Sequence, residues 1–316
     1  MKRAAIILGV LGVAVWAGAQ TTGSTPAAPA GGQAAPAQGA AAPGAPAAKR
    51  PPQAKTQPEY DAYKAAAGNT DAEALDKAAA DFATKYPDSE LRILLYKMDM
   101  KAYQAANNAP KTEEMGRKVL AIDPDDPDAL TIVSDVIAER THDSDIDKDQ
   151  RYDEGMKMAQ RAITTIDTDV MIPLGTPQDK IDAYKAGMRA QAYSTMGVIE
   201  YNKSNFPAAR EDFQKAVDAD AAHPYPQDIL HLALAIDRQG TMMTDPEQQK
   251  KMYEDALKAV NRAVELSQES TPIGGAARRE QDRLQKLTGH APATTPQAQP
   301  QGQPAQTPPQ SQPPNK

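Results

Sequence analysis

From about residue 59 to residue 288 the apolar residues recur every three or four positions, with no run of strict alternation. That spacing predicts helices and argues against strands. The clearest stretch is 206–220, where Phe206, Ala209, Phe213, Ala216 and Val217 share one stripe. Arg210, Glu211, Lys215 and Asp218 occupy the other face, and Glu211 and Lys215 are spaced for an i,i+4 ion pair. Asn205 stands where a cap is wanted, and Pro207 falls in the first turn, where its missing N–H costs nothing. A second helix is predicted over 186–203, with Tyr193, Met196, Gly197, Val198 and Tyr201 on its apolar face. Only Ser204 and Asn205 separate the two helices, so they must lie antiparallel. Gly197 is costly inside a helix; it predicts a close crossing, with the small Ala209 as the partner that suits it. Further helices are predicted over 152–166 and 252–266, and a charge-rich amphipathic stretch over 274–287 suits a terminal cap.

Taken in order, Tyr193, Met196, Gly197, Tyr201, Phe206, Ala209, Phe213 and Ala216 resemble the tetratricopeptide repeat, whose pattern runs bulky residue, Leu-Gly, Tyr, Ala, Phe, Ala. This repeat spans 187–221. The run from Val119 through Asp123-Pro124 to Asp126-Pro127-Asp128-Ala129-Leu130 resembles the family's repeat boundary, and 82–89 resembles the boundary in exported envelope members. Phe82, Val119, Ala162, Ala216 and Ala263 mark one equivalent position, at intervals of 37, 43, 54 and 47 residues. The family period is about 34, so insertions of unequal length are expected. The resemblance implies an all-α, right-handed solenoid of about five antiparallel helix pairs plus a C-terminal capping helix, over 59–288. It also implies protein or peptide binding along the concave face of the first helices. In the clearest repeat that face offers Gln191, Thr195, Val198 and Asn202, a polar and uncharged groove. Val198 stands where the family's carboxylate-clamping members carry Asn, which speaks against that mode.

The ends change the picture of where the domain works. Lys2 and Arg3, an apolar stretch from Ala4 to Trp16 and the small residues Ala17-Gly18-Ala19 form a secretory signal over 1–19. Residues 20–58, rich in Ala, Pro and Gln, and 289–316, rich in Pro and Gln, contain no acidic residue and too little apolar surface to offset the entropy of ordering. They are expected to be disordered tethers. The chain has no cysteine, so disulfides, thiolate metal sites and lipid attachment through an N-terminal Cys are all excluded. A periplasmic or secreted location is expected, with no stable membrane span after signal cleavage.

Net charge is −7, but all 42 acidic residues lie in the helical region against 29 basic ones, a local balance of −13. Nucleic acid is therefore not an expected partner. Asp143, Asp145, Asp147, Asp149 and Glu154 repeat the ligand spacing of a calcium loop, making a calcium- or small-ligand-binding protein using 143–154 the alternative reading. Lys148 sits where such loops need glycine. The apolar run Val170-Met171-Ile172-Pro173-Leu174 lies in a second insertion, and Met242 and Met243 lie in a later loop; packing under the solenoid or a ligand surface would each account for them. His142, His223, His231 and His290 show no metal spacing. No phosphate loop or nucleophile elbow is present, so neither an enzyme nor a cofactor is expected.

Overall fold

The computed structural model describes residues 49–173 and 175–289. The signal segment, most of the 20–58 tract, Leu174, His290 and the C-terminal tail lie outside the described residues. The described chain is eleven helices: α1 Gln57–Ala67, α2 Ala72–Lys85, α3 Arg92–Ala105, α4 Ala109–Ile122, α5 Pro127–Arg140, α6 Lys148–Asp169, α7 Gln178–Asn202, α8 Phe206–Ala219, α9 Pro226–Thr241, α10 Pro246–Leu266 and α11 Pro272–Thr288. No strand occurs among the described residues. Consecutive helices pack as five pairs, α1/α2 to α9/α10, and α11 closes the last pair. The expected solenoid of about five pairs plus a cap is what the chain forms. Side-chain caps fix many of the starts: Thr56, Asp71, Asn108, Asp126, Asp245 and Thr271 each accept a first-turn N–H. Proline occupies the first turn of α1, α4, α5, α8, α9, α10 and α11.

The second and fourth pairs share one turn. Asn107 and Ser204 both take a left-handed φ, 56° and 60°. The next residues, Asn108 and Asn205, donate their N–H groups to the carbonyls of Tyr103 and Glu200, at 2.9 and 2.8 Å. A proline then enters each following helix at its second position, Pro110 and Pro207. The internal repeat is therefore written in backbone geometry as well as in side-chain spacing.

The five positions marked by Phe82, Val119, Ala162, Ala216 and Ala263 fall on α2, α4, α6, α8 and α10, and all are buried. First helices also pack directly on first helices: α1 on α3, α5 on α7, α7 on α9 and α9 on α11. In the second-helix layer, neighbours meet through long side chains, as Arg117 of α4 does with Glu154 of α6. The tighter first-helix layer is the inner side of the stack.

Two expectations are corrected. The helix predicted over 186–203 begins eight residues earlier, at Gln178; the added turns carry only Ile181, Ala183 and Tyr184 as apolar residues, too sparse a stripe to register. A Cβ on Gly197 would lie 2.6 Å from the Phe213 ring, so the close neighbour is that ring and not Ala209.

Candidate functional site

The inner layer is stitched by polar groups that belong to different pairs. Lys97 of α3 is buried and its Nζ lies 2.7 Å from both Asp126 Oδ2 and Asp128 Oδ2, at the start of α5. Asp126 Oδ1 accepts the Ala129 N–H as the cap of that helix. Tyr184 of α7 donates its hydroxyl to Asp128 Oδ1, and Lys101 stands 3.3 Å from the same oxygen. Three pairs thus meet around two carboxylates and two ammonium groups. Burial works against the Lys97 charge, but Asp128 and Asp126 outweigh it and hold its pKa above the ordinary lysine value. Burial also opposes the Asp128 charge, and Lys97, Lys101 and Tyr184 overcome that and hold it below the usual carboxylate range. Tyr184 is pushed well up by burial and by Asp128, so it stays a neutral donor.

One turn-pair further along, Asp135 of α5 accepts hydrogen bonds from Gln191 Nε2 and Thr195 Oγ1, both at 3.1 Å. Ser194 Oγ then donates to Asp228 Oδ1 of α9 at 2.6 Å. These contacts correct the reading of the groove as uncharged. Gln191 and Thr195 face an acid contributed by the neighbouring pair, and Thr195 is 0 % exposed. Val198 is partly buried against the apolar clusters on both sides of α7. Asn202 is exposed and bonds the Tyr152 hydroxyl. Of the four predicted face residues, two are spent in the joint, one packs, and Asn202 reaches solvent. At the α7/α8 crossing Tyr201 stands edge-on to Phe206 at 5.2 Å, Gly197 lies against the Phe213 ring and Lys215 sits over the Tyr193 ring; Ala209 and Ala216 are buried and Met196 is half-buried. The acids Asp126, Asp128, Asp135 and Asp228 were not picked out in the sequence as site residues. Their one local signal is that three sit within two residues of a helix-starting proline.

The calcium pattern is not brought together. Asp147 precedes α6, so Asp149 and Glu154 are already helical. Lys148 Nζ pairs with Asp143 at 3.4 Å, Asp145 accepts the His142 N–H, and Glu154 pairs with Arg117 at 2.7 Å. Among the described residues, no group of three or more His, Cys, Asp or Glu side chains is placed to hold a metal ion. Val170, Met171 and Ile172 are half-buried, whereas Met242 is 63 % exposed.

A second polar cluster lies between α2, α3 and α4. A cleft of about 450 Å³ is lined by Asp76, Tyr103, Asn108 and Lys111 among others. Asp76 Oδ2 accepts from Tyr103 Oη at 3.1 Å and Lys111 Nζ at 3.0 Å. Close by on α3, Asp99 is 0 % exposed and neither carboxyl oxygen has a hydrogen-bond partner among the described residues. Burial, and then the Asp76 charge, push its pKa up to about 7.

No protein-family model and no curated protein matches this chain. Among solved structures, one titled "Crystal structure of MamA" is similar at TM-score 0.41 and 15% identity, over 61% of this chain and 91% of that one. Another, "Crystal structure of MamA protein", reaches TM-score 0.44 at 16% identity, over 68% and 96%. Likeness at this level concerns the arrangement of helices. No described helix is long and apolar enough to cross a membrane.

Proposed function

We propose that this protein is an exported helical-repeat scaffold that binds another protein or a peptide in the bacterial envelope, along its inner helix layer. The observation that supports this most is the layer itself. α3, α5, α7 and α9 are joined side chain to side chain through Lys97, Asp128, Tyr184, Asp135, Ser194 and Asp228, making a continuous surface held in one shape. A preformed surface lowers the ordering cost of binding. Binding, and not catalysis, suits the chemistry, because the charges around Lys97, Asp126 and Asp128 are committed to one another. Export is supported by the signal pattern of residues 1–19, and the Pro-rich tracts, which hold no acidic residue, would give the domain reach.

The test is photo-crosslinking in the native host from Lys101, Tyr184 and Asn202 on the inner layer, with Lys258 on α10 as the outer control. The expected result is shared crosslinked species from the inner positions, recovered from the periplasmic or extracellular fraction. Equal yields from the outer position, or none from any, would reject the inner layer. Recovery only from the cytoplasm would reject export.

A further inference from the structure

In the N-terminal tract between the signal and the helices there are three basic residues, Lys49, Arg50 and Lys55, and each meets an acceptor on the solenoid. Lys55 Nζ donates to the Asp88 carbonyl at 2.8 Å. The Arg50 guanidinium grips Glu90 in a two-pronged pair at 2.8 and 2.6 Å, and the Gln53 N–H adds a third donor to that carboxylate. Lys49 Nζ lies 2.7 Å from both Asp123 and Asp169. Glu90 lies in the connection from the first pair to the second, Asp123 in that from the second to the third, and Asp169 ends the third. Residues 49–55 therefore run along one edge, across the loops that link successive pairs. Their backbone makes no hydrogen bond to another backbone group among the described residues, and only Ala54 packs on an apolar cluster.

Asp123 and Asp169 are both close to one ammonium group and mostly covered, so without Lys49 two like charges from neighbouring pairs would face each other, with Arg161 as the cation left nearby. We propose that residues 49–55 are a releasable strap: ion pairs latch it over the first three helix pairs, and an extended basic segment of a partner unlatches it by competing for Glu90, Asp123 and Asp169. This edge is distinct from the inner layer, so the two ideas stand or fall separately.

The absence of cysteine makes a clean distance measurement possible. Nitroxide labels on Gln53→Cys and Ala121→Cys, both exposed positions, report strap against solenoid by double electron–electron resonance. At about 10 mM salt, where charges act over about 30 Å, a single narrow distance is expected. It should broaden and lengthen at about 1 M salt, where the range falls to about 3 Å, and in the Lys49→Gln/Arg50→Gln variant at low salt. Decalysine should broaden it at an ionic strength where sodium chloride does not. Circular dichroism checks that helicity is unchanged. A distance that stays narrow under salt and charge removal would overturn the electrostatic latch, and one that is broad from the start would overturn the strap. A narrow distance in excess decalysine would overturn displacement by a basic partner.

Discussion

The two halves of the solenoid solve the same problem with different chemistry. From α8 to α11 one apolar cluster runs unbroken, with Phe213, Ile229, Leu232, Ile236, Val260 and Leu284 among its members. From α1 to α7 the buried apolar residues fall into four smaller clusters. Buried ions and hydroxyls join those pairs: Lys97 with Asp126 and Asp128, and Asp135 with Gln191 and Thr195. In a repeat array stability is a sum of units and nearest-neighbour joints, so a joint can fail locally. An apolar joint weakens in proportion to the volume lost or overfilled. An ionic joint is nearly neutral when complete and very costly when half of it is removed. The difference lets one molecule carry charge-sensitive joints at one end and, at the other, a block built on one apolar cluster to which the Asp237–Arg283 pair of α9 and α11 is added.

The largest break should come at Lys97. Lys97→Met leaves Asp126 buried without its cation and Asp128 with only the half-exposed Lys101, at a cost of about 3–5 kcal/mol. Hydrogen exchange should show the loss in α3 to α5, while α9 to α11 stay protected, as nearest-neighbour coupling requires. Adding Asp126→Asn and Asp128→Asn should restore part of the loss. A drop below about 1 kcal/mol, the value of an exposed pair, would mean the ions do not hold this joint.

The pH dependence should separate the halves next. Asp99 faces Asp76 of α2 and Lys111, Glu114 and Lys118 of α4, beside Tyr103 on its own helix. Its folded pKa of about 7 lies above the ordinary carboxylate value of 3.8. The stability it supplies as a neutral acid is complete below that ordinary value and is lost as pH rises through about 7. The N-terminal pairs should weaken by a few kcal/mol, of order the pKa difference, between about pH 4 and pH 8. Asp99→Asn should flatten that slope, measured by denaturant unfolding across pH, and α9 to α11 should not follow it. A slope unchanged in the variant would assign the effect elsewhere.

At the seam where α7 packs on the apolar half the corresponding break is steric. Gly197→Ala drives a methyl to within 2.6 Å of the Phe213 ring. Overpacking of this kind costs about 1–3 kcal/mol. Phe213→Leu in the same chain should recover part of it, and thermal unfolding of the single and double variants measures both. If the double variant is no better than the sum of its parts, the ring is not what the methyl strikes.

The apolar half was also the more legible in sequence. Tyr193 to Ala216, where α7 meets that half, announced a helix pair because every signal lay within one repeat: stripe, first-turn proline, and the interior Gly197. The ionic joints were hidden because their partners lie far apart in the chain. Asp135 and Thr195 are 60 residues apart, and Lys97 and Asp126 are 29 apart. One repeat read alone shows Gln191 and Thr195 as a neutral groove, since the acid they hold belongs to the pair before. The early start of α7 was hidden for a related reason: Tyr184 earns its place against Asp128 of α5, and no local periodicity marks it. The spacing of Asp143 to Glu154 was visible and misleading, because ligand spacing presumes a loop and α6 begins at Lys148.

That stretch also carries the smallest expected effect, and it tests whether charge matters only where it is buried. Arg117 links Glu113 on its own helix to Glu154 on α6, at 3.0 and 2.7 Å, with Arg117 and Glu154 both open to solvent. The Arg117 bond holds Glu154 below the usual carboxylate range, against a smaller effect of burial. An exposed pair contributes about 0.2–1 kcal/mol and less as salt rises. Glu154→Gln should therefore lower the melting temperature only slightly, and the difference should vanish at about 1 M salt. Glu154 is engaged by Arg117, and Lys148 takes Asp143, so millimolar calcium should leave the melting temperature of both proteins where it was. A calcium-dependent rise in the parent, absent in the variant, would show that the ion can pull Glu154 from Arg117. The outer layer would then have a charge-controlled joint of its own, and the contrast between the two halves would have to be redrawn as one between inner and outer layers.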